Sequence, residues 1–378
     1  MTATGPALDL VALVRELTGR RTVSGDAVAQ RDLLGALTDV LRERAPHLEV
    51  TQGGDRDQPW TLLRTPVDPD RRQLLFACHV DTVPVPDPGA WARDPFGADV
   101  EEGRVWGRGT SDMKAGVVAA AAALAAADPE TPVALLLTSD EETGSQGAAA
   151  AASAVADQRI GAVVVPEATG NQVVLGHKGA LWLAVRTAGR AAHGSTPERG
   201  HNAVLDLVAV LGRAAGALPL RTDPFLGTET WNPGVVAGGT VPNVVPDRAE
   251  AVVDMRTVGD AGDLLRWWRD QPEVADVEVR VDLPPVGTPA DDPWVASLPA
   301  AVRPTPATYF TDASVLVRVV GGAPVVVWGP GTPAVMHAVD EYVEVTEVEQ
   351  AAAAFSAVVA RWGGPPAGSR REPAGGEG

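Results

Sequence analysis

The chain carries one cysteine, Cys78, among 378 residues. That excludes an intramolecular disulfide and suits a reducing compartment, so the cytoplasm is the expected location. Aromatic residues make up only 4% of the sequence, so the core must be built mainly from small aliphatic side chains. No apolar run reaches the roughly 18 uncharged residues of a membrane span, and the first residues lack a basic segment followed by an apolar signal core. A membrane partner is therefore not expected. Basic residues are also scarce: 31 Lys and Arg against 49 Asp and Glu give a formal charge of −18. No clustered basic face is available to hold a nucleic-acid backbone. The Gly-x-Ser-x-Gly elbow of α/β serine hydrolases is missing. Gly107 and Gly109 superficially match a dinucleotide loop, but Gly116 comes too late and no apolar strand leads directly into them.

What is present is a set of short apolar runs, each followed by acidic or imidazole side chains. Residues 74–78 precede His79 and Asp81, residues 133–138 precede Glu141 and Glu142, residues 162–165 precede Glu167, and residues 325–328 lead through a Gly-Pro-rich loop to His337. Such runs read as buried parallel strands, and in open α/β sheets the active crevice lies beyond the strands' carboxyl ends.

The length and a hydrophobic content of 45% favour two domains. Residues 8–45 read as helices around a turn at Ser24-Gly25-Asp26, and the Ala-rich residues 114–127 as a helix of about three turns beside Asp112. Up to about residue 175 the alternation of strands and helices predicts an α/β domain with a mostly parallel sheet. The pattern then changes. Strands at 180–187, 234–237, 249–256 and 277–282, with helices at 202–215 and 261–270, give the order β-α-β-β-α-β of a ferredoxin-like unit. The expected organisation is a catalytic metal-binding domain from 1–176 and 286–362, an inserted ferredoxin-like lid and dimerisation domain at 177–285, and a disordered tail at 363–378.

Imidazole and carboxylate are the donors that zinc prefers, and a pair of metals about 3.5–4 Å apart can share a carboxylate. His79, Asp112, Glu142, Glu167 and His337 form a matching ligand set, with Asp112, in the glycine-rich stretch 107–116, as the candidate bridge. Asp81, two residues from His79, is placed to accept the proton of the ring nitrogen that does not bind metal. Glu141 and Glu142 repel each other unless a cation intervenes, so one should ligate and its neighbour act as base. Singly, a histidine after a strand is more often a polar rim residue, and an acidic triplet more often a solvated loop. Their joint occurrence at strand ends reverses that reading.

These stretches resemble a known family, the co-catalytic zinc amidohydrolases that include acetylornithine deacetylase, succinyl-diaminopimelate desuccinylase and glutamate carboxypeptidase. The likeness lies in residues 79–84, 107–116, 140–145, 329–331 and 337–343, and in the insert at 192–197 and 241–247. The resemblance implies two divalent ions, zinc by default with cobalt or manganese tolerated. It implies that His79 and Glu167 sit on different metals bridged by Asp112, that Glu142 and His337 complete the pair with one on each ion, and that Glu141 is the general acid/base. It further implies that His193 steadies the oxyanion, often in the partner subunit's site of a homodimer. Asn243, Arg256 and Gly331 would contact substrate, the guanidinium pairing with a carboxylate. In place of the family's usual Glu-Pro-Thr, this chain reads Pro166-Glu167-Ala168-Thr169; glutamate there leans toward deacylation. The expected activity is metal-dependent hydrolysis of the amide of a small N-acylated amino acid, of the acetylornithine or succinyl-diaminopimelate type. A glutamate-carboxypeptidase-like peptidase is the runner-up, and a non-catalytic binding protein on the same scaffold the alternative of another class. The bland readings are a loop histidine for His193, an ion pair with Asp254 or Asp260 for Arg256, and turn chemistry for Asn243.

Overall fold

The computed structural model describes residues 8–54, 57–66 and 71–362; the tail expected from residue 363 lies outside them. Helices Leu10–Gly19 and Ala27–Arg44 each start on an aspartate, Asp9 accepting from the N–H of Ala12 and Asp26 from that of Ala29. These caps satisfy amides that the first turn leaves without partners. Between the two helices lies the turn read at Ser24-Gly25-Asp26.

An eight-stranded sheet forms the larger part. Its order is Glu49–Gly53, Trp60–Arg64, Val133–Thr138, Gln73–His79, Ile160–Ala168, Val325–Gly329, Val173–Val174 and Val302–Arg303. The four central strands run parallel, and antiparallel pairs flank them on both sides. The sheet is therefore mixed but mostly parallel. Gln73–His79, Val133–Thr138 and Val325–Gly329 are buried along their whole length, which is why their sequences are continuously apolar rather than alternating. Successive side chains still divide between two layers. Leu74, Phe76 and Cys78 face the helices Leu10–Gly19, Ala27–Arg44, Ala115–Ala125 and Val345–Trp362, while Leu75 and Ala77 face Gln146–Ala156 and Ala313–Leu316. Phe355 anchors the first layer, its ring 5.2 Å from that of Phe76 and 5.0 Å from that of Trp328. Because the central strands are parallel, His79, the turn after Thr138, Glu167 and the loop after Gly329 all leave the sheet at one edge.

Residues 177–285 build a second sheet. Strands Thr230–Gly238, Arg248–Thr257, Gly179–Ala188 and Val274–Leu283 lie side by side in that order, all antiparallel. Helices Ala203–Ala217 and Gly262–Arg269 cover one face through Leu181, Leu183, Val185, Ala251, Val253 and Met255. Strand Thr230–Gly238 is longer than the expected 234–237. It is an exposed edge, and its Asn232-Pro233-Gly234 segment, with a register shift between Pro233 and Val235, hides the alternation. Within the Pro-rich stretch read as a linker, Val286–Gly287 pairs with Gly176–His177, so the two segments joining the sheets are stitched together. Among the described residues no helix is long and apolar enough to cross a membrane.

Candidate metal centre

His79, the last residue of its strand, is buried and points its Nε2 at Asp112 Oδ1 (3.2 Å) and Glu167 Oε1 (3.4 Å). His337 Nε2 lies 3.0 Å from Asp112 Oδ2 and 3.0 Å from Glu142 Oε2. The five side chains thus fall into two triads, His79-Asp112-Glu167 and Asp112-Glu142-His337, with donor atoms in each within 4.8 Å of one another. Asp112 offers one oxygen to each triad. The division of ligands differs from the one expected: His79 and Glu167 are on the same side, and so are Glu142 and His337. The sheet explains this. Gln73–His79 and Ile160–Ala168 are hydrogen-bonded neighbours, which brings His79 and Glu167 together. Glu142 and His337 both come from loops outside the sheet. The first triad is buried, whereas the His337 side chain is about half exposed, so the second faces the solvent from which a substrate arrives.

The donor set is short of positive charge. Glu167 is pushed up to about 8 by burial and by the Asp112 carboxylate. Burial and Asp112 raise Glu142 as well, against the His337 bond. His337 is pushed up to about 10 by its hydrogen bonds to Asp112 and Glu142. At His79 burial opposes the charged ring, but the Glu167 carboxylate and the bonds to Asp112, Asp81 and Glu167 outweigh it and carry the imidazole well above its usual range. Asp112 is held far below the ordinary carboxylate range because the two imidazoles outweigh its burial. Glu167 Oε2 is buried without a hydrogen-bond partner, a costly state for a carboxylate oxygen. Two imidazoles and three carboxylates that can be satisfied only by protons or cations fit a pair of divalent ions.

Neighbouring groups hold several of these donors in place. Asp81 lies behind His79, its Oδ1 3.4 Å from Nδ1 and its carbonyl oxygen 3.1 Å from the same nitrogen. The same carboxylate accepts from the N–H groups of Glu141 (3.1 Å) and Glu142 (3.3 Å) and from Ser24 Oγ (2.7 Å). Asp81 therefore ties the first histidine to the acidic pair. Asp140, at a left-handed φ of 52°, accepts from the N–H of Gly25 and from Gln30 Nε2, both at 2.8 Å, and anchors the same turn to the second helix. Glu141 is buried, and its Oε1 has no partner. Burial, with Glu142 adding to it against the pull of His79, raises its carboxyl well above the usual range.

Asp112 sits in one tight turn, Thr110–Lys114, and its peptide to Met113 is cis. Lys114 is buried and donates to the carbonyls of Leu17 and Arg20, each at 2.9 Å, placing its ammonium at the C-terminal end of the first helix. Gly116 must be glycine, since a Cβ would meet the Pro166 carbonyl at 1.9 Å; this approach sets the helix Ala115–Ala125 directly against the strand that carries Glu167. A buried ion pair completes the support. Arg108 Nη1 lies 2.6 Å from Glu341 Oε2, while Glu341 Oε1 accepts from the N–H groups of Ser111 (2.9 Å) and Asp112 (3.1 Å). Arg108 Nη2 donates to the His337 carbonyl at 3.2 Å.

The other expected site residues scatter. Arg256 lines the cleft over the centre, together with Trp182, Thr308, Tyr309, Phe310 and Met336. It also makes the ion pair with Asp254 (3.2 Å) that the bland reading expected. His193 and Asn243 are exposed and do not line that cleft. His193 Nδ1 bonds to Ser195 Oγ at 2.7 Å, and the Asn243 carbonyl accepts from the Gly194 N–H. Gly331 does not line the cleft either. Its N–H donates to Glu347, its carbonyl accepts from Gly170, and a Cβ at its φ of +93° would strike Ser111. Gly331 therefore shapes the loop and has no N–H left for a substrate. Sequence reasoning gave no role to Arg108 and Glu341, although both lie inside quoted motifs; an acid one residue past Asp340 carries no visible sign of burial. The aromatic pair Tyr309-Phe310 in a chain poor in aromatics was a signal that could have been used.

Comparisons with known proteins show the family. The model of peptidase family M20/M25/M40 matches residues 75–361. A succinyl-diaminopimelate desuccinylase of a Caulobacter species is 30% identical over 394 residues, covering 96% of this chain and 99% of that protein. The one from Caulobacter vibrioides is 32% identical over 320 residues, covering 77% and 82%. Among solved structures, the M20 family metallo-carboxypeptidase Sso-CP2 of Sulfolobus solfataricus superposes with a TM-score of 0.78 at 18% identity over 94% of this chain and 99% of its own. Aminopeptidase PepT of Bacillus cereus gives 0.70 at 20% identity over 93% and 98%.

Proposed function

The chain belongs to peptidase family M20/M25/M40 and is a metal-dependent hydrolase; from that premise we propose that it cleaves the amide of a small N-acylated amino acid. The observation that carries the proposal is the pair of triads sharing Asp112 with Glu141 beside them. The desuccinylases at about 30% identity over nearly the full chain support deacylation. The carboxypeptidase with the same fold keeps peptide-bond cleavage as the second reading.

When bound, two divalent cations, zinc by default, supply the Lewis acidity that makes a water nucleophilic near neutrality and polarises the amide carbonyl. The protein does the rest. Glu141 takes the proton of the attacking water on its unpartnered Oε1 and returns it to the departing amine nitrogen. Asp81 fixes the base by holding its N–H, and fixes His79 from behind. Arg256 receives the substrate carboxylate. His193 and Asn243 act on substrate from the insert, His193 toward the developing oxyanion, either after closure or in the partner's site.

The β-α-β-β-α-β order and the antiparallel strand arrangement support reading the insert as a ferredoxin-like lid. The exposed edge strand Thr230–Gly238, with Val235 and Val236 each 56% exposed, supports a homodimer formed through it, because such an edge invites pairing with another chain. The lone buried thiol of Cys78 suits the cytoplasm. The test is a panel of N-acetyl and N-succinyl amino acids and short peptides, assayed with zinc and after chelation. Chelator-sensitive release of the free amino acid is expected. Hydrolysis that survives complete metal removal would refute the proposal.

A further inference from the structure

Strip the ligands and Glu141 from the cleft of about 340 Å³, and the remaining wall is Trp182, Tyr309, Phe310, Met336, Thr308 and Arg256. Three aromatics and a thioether concentrated there are far out of proportion to an aromatic content of 4%. The wall is prearranged. Period-two alternation puts Trp182, Asp254 and Arg256 on the sheet face away from the insert's helices, with Trp182 directly across from Asp254. Asp254 accepts from Trp182 Nε1 at 2.9 Å and pairs with Arg256 at 3.2 Å, fixing both. Trp182 meets Phe310 edge-on at 6.2 Å, and the Arg256 guanidinium lies 5.5 Å from the Phe310 ring. Arg256 uses its Nε on Asp254; among the described residues no hydrogen bond engages its two Nη groups, which are free for an incoming carboxylate.

Equally informative is what this wall does not offer. The four carboxylates lining the cleft are three metal-ligand candidates and the base, so none is left to receive a substrate ammonium. A side chain bearing a second amine would lose its water against indole, phenyl and thioether surface and gain no uncommitted carboxylate in the cleft lining. An uncharged ring or branched alkyl group would bury apolar area there.

We propose that this wall selects amide substrates that combine a free carboxylate, held by Arg256, with an aromatic or large apolar side chain packed on Trp182 and Phe310, and that it discriminates against diamino-acid side chains. The inference rests on the amide-hydrolase reading and sets this chain apart from relatives whose names specify diaminopimelate as the substrate.

The test compares kcat/KM of the zinc-loaded enzyme for N-acetyl-L-phenylalanine, N-acetyl-L-leucine, N-acetylglycine, N-acetyl-L-ornithine and N-succinyl-L,L-diaminopimelate. The phenylalanine compound should exceed the glycine one by about 10- to 100-fold, and both diamino substrates should fall below leucine. Phe310→Ala should lower the phenylalanine-to-glycine ratio by about 10-fold, and Phe310→Leu should restore most of it. Calorimetry on the Glu141→Gln protein gives a readout independent of turnover: N-acetyl-L-phenylalanine should bind more tightly than N-acetylglycine, and the gap should close with Phe310→Ala. A diamino substrate that is the best of the five, or a phenylalanine-to-glycine ratio unchanged by Phe310→Ala, overturns the specificity while leaving the hydrolase reading intact. No metal-dependent hydrolysis of any of the five overturns both.

Discussion

Replacing Glu341 by glutamine should damage metal binding although Glu341 touches no metal donor atom itself. The side chains of Arg108 and Glu341 are 4% and 0% exposed, so the pair sits in the regime where losing one partner strands a charge at a cost of about 3–5 kcal/mol. Glutamine keeps an oxygen for the Ser111 and Asp112 N–H groups but cannot neutralise the guanidinium, which places the expected loss of stability near the lower end of that range. Arg108 also donates to the His337 carbonyl, so the pair ties together two candidate ligands 225 positions apart in sequence, at 112 and 337. Disturbing groups that orient metal ligands typically weakens binding by about 10- to 100-fold. Zinc affinity measured by competition with a chromophoric chelator, alongside urea unfolding of the metal-free protein, separates the two effects. The double change Arg108→Met with Glu341→Leu removes both charges and should recover part of the stability. It still leaves the Ser111 and Asp112 N–H groups without their acceptor, so zinc affinity should remain low. Wild-type zinc affinity in both variants would refute the argument that this pair positions the centre.

Glu141→Gln should lower kcat by at least about 100-fold while two zinc ions still bind, measured by stopped assay and metal analysis. Loss of the metals in that variant would overturn the division of roles between Glu141 and Glu142. Burial lowers His177 to about 4, so the folded protein keeps it neutral where the unfolded chain, near 6.5, takes up a proton. Its stability contribution is complete above about pH 6.5 and is lost as pH falls toward 4, a change of about 3 kcal/mol. Urea titrations of metal-free wild type and His177→Gln should therefore diverge in slope only inside that window; parallel curves would show that the ring is not held neutral. Val236→Lys on the exposed edge strand should shift sedimentation toward the monomer if the insert pairs two chains, and unchanged sedimentation of a dimeric protein would place its interface elsewhere.

Much of the fold was readable because its strongest signals are local. The fully buried strands 73–79, 133–138 and 325–329 appear as unbroken apolar runs, and the acidic or imidazole residues that end them show where the sheet edge must be. Two strands of the second sheet were readable from period-two alternation in 179–188 and 248–257. Strand 230–238 was shortened in the reading because exposure and Pro233 erase that alternation. Five candidate ligands could be listed from sequence, but their division between two metals could not, because it depends on which strands are neighbours, and the parallel pairing of 73–79 with 160–168 is not written in either segment. The same limit concealed the supporting groups. Asp140 reaches Gly25 and Gln30, and Glu341 reaches Arg108, only after more than 100 residues of chain have folded back. Gly331 was read as a substrate contact from the resemblance at residues 329–331, and only its backbone bonds reveal that it holds the loop.

The central claim is a two-metal centre shared through Asp112, and anomalous diffraction from zinc-soaked crystals tests it most directly. The account predicts two peaks about 3.5–4 Å apart, one beside His79 and Glu167 and the other beside Glu142 and His337, with an Asp112 oxygen on each. A single peak, or a pair that does not include Asp112, would contradict it.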